Sequence, residues 1–336
     1  MNNTARILLG HGSGGTLTHQ LLAKSIFPLF DNPILAQADD AAVFSLKGAT
    51  ALTTDSFVVQ PLFFPGGDIG KLAVCGTVND LAMMGAAPLY LTAACIIEEG
   101  FEISLLEKII RSMSRAAREA GVTIVGGDLK VVEQGAADGI FINTSGVGSI
   151  ARGRSVSGHG ARPGDLVIIN GHIGEHGTAV MAARQNYKLT TAVKSDCACL
   201  NGLVDAVLRA GPRVHVMRDP TRGGVATTLN EIALQSGVQI EIDEEQLPVT
   251  PAVRGFSEIL GIDPLYLANE GKMLLFADPR STAAALAAMR GHPLGKQARI
   301  IGRVTGKGEP LVVLRTAIGS TRILSMLTGE QLPRIC

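Results

Sequence analysis

Val74-Cys75-Gly76-Thr77-Val78-Asn79-Asp80-Leu81-Ala82-Met83-Met84-Gly85-Ala86-Ala87-Pro88 opens the most hydropathic stretch of the chain, which runs on to residue 97. Its length would suit a membrane span, but Asn79-Asp80 places an amide and a carboxylate near its start, and Gly85-Ala86-Ala87-Pro88 breaks it. The stretch therefore reads as a buried helix over 68–84 followed by a strand. Within that helix Asp80 stands in an apolar pattern, where a carboxylate is costly unless it is paired or metal-bound.

Working outward, Val43-Phe44, Ala51-Leu52-Thr53 and Phe57-Val58-Val59 read as strands. On the other side Ser104 and Glu107 have capping-box spacing, and Leu105, Ile109, Met113 and Ala116 make an apolar stripe that ends at Gly121. Val122-Thr123-Ile124-Val125 is then a strand and Gly126-Gly127-Asp128 a ligand-facing turn. Gly, Ser, Arg and Pro between residues 152 and 164 mark a boundary near 155. Beyond it a strand over 165–169, a helix over 225–235 and strands over 238–242 and 273–276 continue the alternation. The expected fold is α/β, of the α+β type, with domains over 1–155 and 156–328. A mobile tail over 329–336 follows, because Pro333 disfavours regular structure.

At 336 residues the chain can bury two cores. Thirty basic and 30 acidic residues cancel, which removes the broad electrostatic footprint of a nucleic-acid or anionic-membrane binder. The N-terminus lacks the apolar region of a signal peptide, and five cysteines without a CxxC pair fit a reducing compartment, so a cytoplasmic location is expected. Forty glycines suit an enzyme whose backbone approaches a ligand closely.

Four groups of residues could carry chemistry. Gly10-His11-Gly12-Ser13-Gly14-Gly15, ahead of a helix over 16–27, would present backbone N–H groups to phosphate. Asp39, Asp40, Asp55, Asp80, Asp128 and Asp219 lie beside strands or turns, or, for Asp80, within the apolar helix, and could converge as hard ligands for magnesium with a polyphosphate, although any one of them alone is better explained as a cap or turn residue. Lys130 could neutralise transferring charge and Glu270 could act as a general base; spacing alone makes both ordinary surface charges. Cys336, the last residue, sits on Pro333-Arg334-Ile335-Cys336, and eight residues from Gly329 could span about 26 Å, far enough to enter a cleft. Cys197-Ala198-Cys199 is a rival thiol site. His172 and His176 have zinc-helix spacing, but the glycines around them argue against a helix, so neither group is assigned a metal.

Taken together, Gly12-Ser13-Gly14-Gly15, Asp39-Asp40-Ala41-Ala42, Thr53-Thr54-Asp55, Asn79-Asp80-Leu81-Ala82-Met83-Met84-Gly85, Gly126-Gly127-Asp128 and Asp219-Pro220-Thr221-Arg222-Gly223-Gly224 resemble the aminoimidazole-ribonucleotide-synthetase-like superfamily of ATP enzymes. With the cysteine tail added, the chain resembles its HypE branch, the carbamoyl dehydratases of NiFe-hydrogenase maturation. The resemblance implies two α/β domains, with the N-terminal domains of a homodimer pairing into a shared barrel. It implies ATP in the cleft, contacted by Gly12, Ser13, Gly14, Gly15, Asp39, Asn79 and Asp128, and Mg2+ on Asp40, Asp55, Asp80 and Asp219. It also implies dehydration of a thiocarboxamide on Cys336 to a thiocyanate with help from Lys130 and Glu270. The implied partners are the carbamoyltransferase HypF, which loads Cys336, and the HypC–HypD iron scaffold, which receives the cyanide. Two other readings are a small-molecule kinase of the same superfamily and a non-catalytic docking protein. Selenophosphate synthetases carry a reactive residue near the glycine loop, where this chain has His11 and Ser13.

Overall fold

In a computed structural model the chain is described over residues 6–12, 16–35, 42, 44–184, 191–327 and 334–336. The expected helix over 16–27 is broken: α1 (Thr16–Leu21) passes into a π turn, Leu22–Ile26, and a 3-10 turn, Phe27–Leu29. Pro28 lacks the N–H that a continuing helix needs. There follow β1 (Ala49–Phe57), β2 (Phe63–Phe64), β3 (Gly67–Asp68), α2 (Ile69–Met83), β4 (Ala86–Glu98), α3 (Ile103–Ala120), β5 (Thr123–Val132) and β6 (Ile140–Ile150). The opening stretch is thus helix then strand, as its pattern requires. Asp68 caps α2 by accepting the N–H groups of Gly70 at 2.8 Å and Lys71 at 3.1 Å.

Three local expectations are corrected. Ser104 lies inside α3, whose N-cap is Glu102 without a side-chain cap bond, and Glu107 instead accepts from Ser25 Oγ at 2.9 Å. Gly126-Gly127-Asp128 is not a turn: β5 runs through it, with a bulge at Val125, since Ile124 faces Leu91 and Gly126 faces Thr92. Val58 and Val59 lie past the end of β1 rather than in a strand of their own, and Phe44 is in coil, its ring stacked 4.4 Å from Tyr90; Val43 is outside the described residues. Gly121 ends α3 as expected, at φ +70.

The first four-stranded sheet has the order β1-β6-β4-β5, antiparallel except for the β4–β5 pair that α3 connects. α2 covers one face and is buried on nearly every side, which is why it shows no polar stripe. The opposite face stands open at Leu52, 77 % exposed, and at Thr54, Thr92 and Ile96.

The second half contributes β7 (Leu166–Ile169), α4 (Glu175–Ala182), α5 (Asn201–Arg209), β8 (Val214–Arg218), α6 (Gly224–Ser236), β9 (Val238–Asp243), α7 (Pro251–Leu260), β10 (Leu274–Ala277), α8 (Thr282–Arg290), β11 (Arg299–Lys307), β12 (Leu311–Arg315) and β13 (Thr321–Ile323). Its seven strands run β13-β12-β9-β11-β7-β10-β8, with only β9 and β12 parallel. Strand periodicity divides the core: Val167 and Ile169 of β7 face α6 with Val225, Leu229 and Ile232, whereas Ile168 faces α5 and α8 with Leu203, Val207 and Met289. Ala82 and Met83, at the end of α2, join that second cluster, so the two halves are packed together where the decisive helix ends. Among the described residues no helix is long and apolar enough to cross a membrane.

Candidate active site

A loop over 195–200 lies in the seam between the halves. Asn79, on α2, is almost wholly buried; its Oδ1 accepts the Leu200 N–H at 2.7 Å and its Nδ2 donates to the carbonyls of Ala198 and Glu270 at 3.1 and 3.3 Å. Its polar atoms are thus engaged by protein backbone, where a nucleotide contact was expected. From the other side Asp196 accepts the N–H groups of Glu270 and Gly271, each at 3.2 Å, and the Lys272 ammonium at 2.9 Å. Gly271 is required here, since a Cβ would stand 1.9 Å from the Asp196 carbonyl oxygen. Burial would raise the Asp196 carboxyl, but the Lys272 charge and these hydrogen bonds outweigh it and hold the carboxyl low.

The tail ends in this seam. The Val58 N–H donates to the Cys336 carbonyl oxygen and the Gln60 N–H to that of Arg334, both at 3.1 Å, so the segment just past β1 pairs with the tail in antiparallel fashion. The Arg334 side chain donates to the Val58 carbonyl at 2.9 Å and pairs with Asp138, and Arg184 donates to the Arg334 carbonyl at 3.0 Å. Arg334 adopts φ +50, unusual for a residue with a Cβ. Ile335, 3 % exposed, joins the apolar cluster that holds Val59, Phe64, Val180 and Cys197. The expected absence of regular structure holds for 334–336, but these residues are seated in the cleft.

Beside them stands Glu270, 3 % exposed, whose Oε1 is buried without a hydrogen-bond partner. Burial first, then the neighbouring Cys197, Asp219, Asp196 and Asp55, push its carboxyl well above the ordinary range. The Cys336 thiol is raised too, by burial first and then by Glu270, with Arg222 acting the other way. Asp55, Asp80 and Asp219 complete the acidic wall. Burial is the main cause of the upward shift of all three, and each feels another's charge except that Asp55 is countered by Ser56 and Arg222; Asp219 is pushed up to about 7. Thr53 Oγ1 donates to Asp80 at 2.8 Å.

Three buried carboxyls close together, two of them raised further by a neighbouring carboxylate, make a set of hard oxygen donors that fits a divalent cation. Among the described residues no three His, Cys, Asp or Glu side chains enclose a metal position, and Asp40, with Asp39, Ser13, Gly14 and Gly15, lies outside the described residues. Gly12, Asp128 and Lys130 are elsewhere, on a cavity of about 450 Å³ in the first half. There Lys130 Nζ pairs with Asp128 at 3.0 Å, both largely exposed.

All five cysteines are free thiols, with Cys199 Sγ 3.2 Å from Cys75 Sγ. Contrary to expectation, His176 is helical, in the first turn of α4, while His172 precedes the helix; they do not form a zinc pair. Sequence reasoning weighed His176 only as half of a zinc pair and set it aside, and it missed Asp196, Arg222 and Arg334. Arg222 and Arg334 lay within quoted motifs and could have been singled out as the cations nearest the acids and the thiol.

Two family models match the chain: AIR synthase related protein, N-terminal domain, over 38–150, and AIR synthase related protein, C-terminal domain, over 162–315. The carbamoyl dehydratase HypE of Cupriavidus necator is 52 % identical over 335 residues, which cover 99 % of this chain and 95 % of that protein. A crystal structure of the hydrogenase maturation protein HypE in complex with ATP superposes with a TM-score of 0.94 at 50 % identity, covering 98 % of this chain and 99 % of that one. A HypE chain from a HypE–HypF complex does so with a TM-score of 0.81 at 52 % identity, covering 93 % and 100 %.

Proposed function

The chain belongs to the HypE carbamoyl dehydratases of the AIR synthase related proteins, and from that premise we propose how its own residues turn a thiocarboxamide on Cys336 into a thiocyanate, the source of cyanide for the iron of NiFe-hydrogenases. The observation that carries the reading is Cys336 seated beside Glu270, whose buried Oε1 has no partner.

ATP and the carbamoylated tail are the substrates. The carbonyl oxygen of the S-carbamoyl group takes the γ-phosphoryl group of ATP, which converts a poor leaving group into phosphate. Glu270 accepts one proton from the nitrogen, leaving an O-phosphorylated imidate; as the carbon–oxygen bond breaks, the second N–H proton leaves with the phosphate, the electron pair it leaves on nitrogen closes the carbon–nitrogen triple bond, and ADP and phosphate depart. A buried carboxyl with a raised pKa is a stronger base than an exposed one, which suits this part. Asp55, Asp80 and Asp219, together with Asp40, would hold Mg2+, which supplies charge neutralisation at the phosphoryl oxygens. Gly12, Ser13, Gly14, Gly15, Asp39 and Asp128 are assigned to the nucleotide, and Lys130 to orienting the carbamoyl group.

HypF is the loading partner in this reading and HypC–HypD the acceptor, in a reducing cytoplasm that suits five free thiols. The open sheet face around Leu52 supports a homodimer in which two such faces close a barrel. Residues 1–155 would form the ATP and dimer domain, 156–328 the second domain and 329–336 the carrier tail.

The test is mass spectrometry of the C-terminal peptide after incubation with the carbamoylating partner, Mg2+ and ATP. A carbamoyl adduct on Cys336 that loses one water only while ATP is hydrolysed is expected. An unmodified tail in the presence of an active partner would sink the reading.

A further inference from the structure

His176 takes no part in the chemistry above, yet it is fully buried, edge-on to Phe64 with ring centroids 5.4 Å apart, and touches the tail. Its Nε2 lies 2.8 Å from the carbonyl oxygen of Ile335. A carbonyl oxygen only accepts, so Nε2 carries the proton and donates. Nδ1 is then an acceptor and receives the Ser195 hydroxyl at 2.8 Å; Ser195 Oγ in turn accepts the Cys197 N–H at 3.1 Å. The next residue in the loop, Asp196, holds the backbone of Glu270 and Gly271. Hydrogen bonds and one short loop thus connect the tail backbone, one residue before the reactive sulfur, to the backbone of the base.

We propose that His176 is a positioning residue that seats the tail, by reading the Ile335 carbonyl and tying its presence to the loop that holds Glu270. A main-chain carbonyl is unchanged whether Cys336 is free, carbamoylated or cyanated, so this contact accepts every state of the carrier. Identity of the tail is read separately, through the Arg334 side chain against Asp138 and Val58 and through the buried Ile335 side chain. The assignment of a consequence for catalysis rests on the dehydratase reading; the seating itself does not.

The experiment uses the full chain as wild type, His176→Ala, His176→Gln and Ser195→Ala. Cys336 alkylation by iodoacetamide is followed without ATP by the mass of the C-terminal peptide, beside the melting temperature of each variant. His176→Ala is expected to label roughly fivefold to tenfold faster, the factor that one net hydrogen bond represents. His176→Gln, whose amide nitrogen can donate near the same point, should recover most of the protection, and Ser195→Ala, which frees the ring tautomer, should fall between. With the tail preloaded, kcat for dehydration should fall in the same order while KM for ATP stays unchanged, because the imidazole touches the tail and not the nucleotide.

Equal labelling of wild type and a folded His176→Ala protein would overturn the proposal, as would Gln protecting no better than Ala. Should His176→Ala not fold, equal labelling of wild type and Ser195→Ala would do the same. A chain that protects Cys336 through His176 but never dehydrates it would remove the dehydratase reading and leave the seat standing.

Discussion

The side-chain oxygen of Asn79, on α2, accepts the backbone N–H of Leu200 at 2.7 Å, across the seam between the two halves. With its donations to Ala198 and Glu270, one amide fixes both chain segments of the site's floor. Asn79→Ala should destabilise the protein by about 2–3 kcal/mol, because buried backbone groups lose their partner. It should also slow dehydration beyond what stability explains, since one of those groups belongs to Glu270. Chemical denaturation and turnover under folded conditions check both; unchanged turnover would remove Asn79 from the positioning of the base.

Glu270→Gln keeps the shape of the side chain and removes its basicity. Carbamoyl loading by the partner should proceed at the wild-type rate, while ATP-dependent loss of water should fall by about a hundredfold or more. Rapid-quench mass analysis of the tail distinguishes the steps. A dehydration rate within a few-fold of wild type would assign the base elsewhere.

Asp219 gives a prediction whose sign is fixed by its surroundings. Burial, then Asp80 and Asp55, raise its carboxyl to about 7, so the folded state holds this proton more tightly than the unfolded state. Ionised Asp219 therefore opposes folding; the penalty is absent below the ordinary carboxylate range, grows as pH rises and is complete above about 7. Asp219→Asn should thus be more stable than wild type by on the order of 4 kcal/mol at about pH 8, the two converging near pH 4, while ATP turnover is lost. Melting curves without nucleotide at the two pH values decide it; a variant less stable at the higher pH would contradict the charge argument.

Lys272 has the opposite role. It is largely buried and joins Asp196 at 2.9 Å and Glu175 at 3.3 Å. Lys272→Met would leave Asp196 charged and enclosed, at a cost of about 3–5 kcal/mol. Because Asp196 is held low by this cation, the stabilisation is present above the ordinary aspartate range and is lost as pH falls through the depressed value, so the penalty of the variant should shrink in acid. A penalty independent of pH would mean that packing, not charge, is what Lys272 provides.

The helix–strand pair on which the fold turns was legible because α2 is largely apolar and is followed by Gly85 and Pro88, signals that act locally. The capping box was misread because Ser104 competes with Glu102 for the same helix start, and only packing chooses between them. The turn at Gly126–Asp128 was misread because a bulge and a turn use the same glycines. At the site, Asp80 was legible because a carboxylate inside an apolar helix needs a reason to be there, whereas Asp55, Asp219 and Glu270, each ordinary when read alone, were named through the resemblance of their motifs to a family. Asp196 was not named and His176 was weighed only for zinc, because their partners, Glu270 and Ile335, are distant in sequence and the contact is to backbone, which no residue type announces.

Arg334 keeps a left-handed backbone in the seated tail, a conformation that costs an L-residue about 1 kcal/mol. On the dehydratase reading proposed above, the carrier calls at three stations: the partner that loads it, the cleft that converts its cargo and the acceptor that collects it. If one station bound the tail far better than the others, delivery would stall there. No contact outside the cleft is needed to hold Arg334 in this conformation, so its cost counts against the seated state alone and offsets part of the cleft's grip on the cargo's backbone.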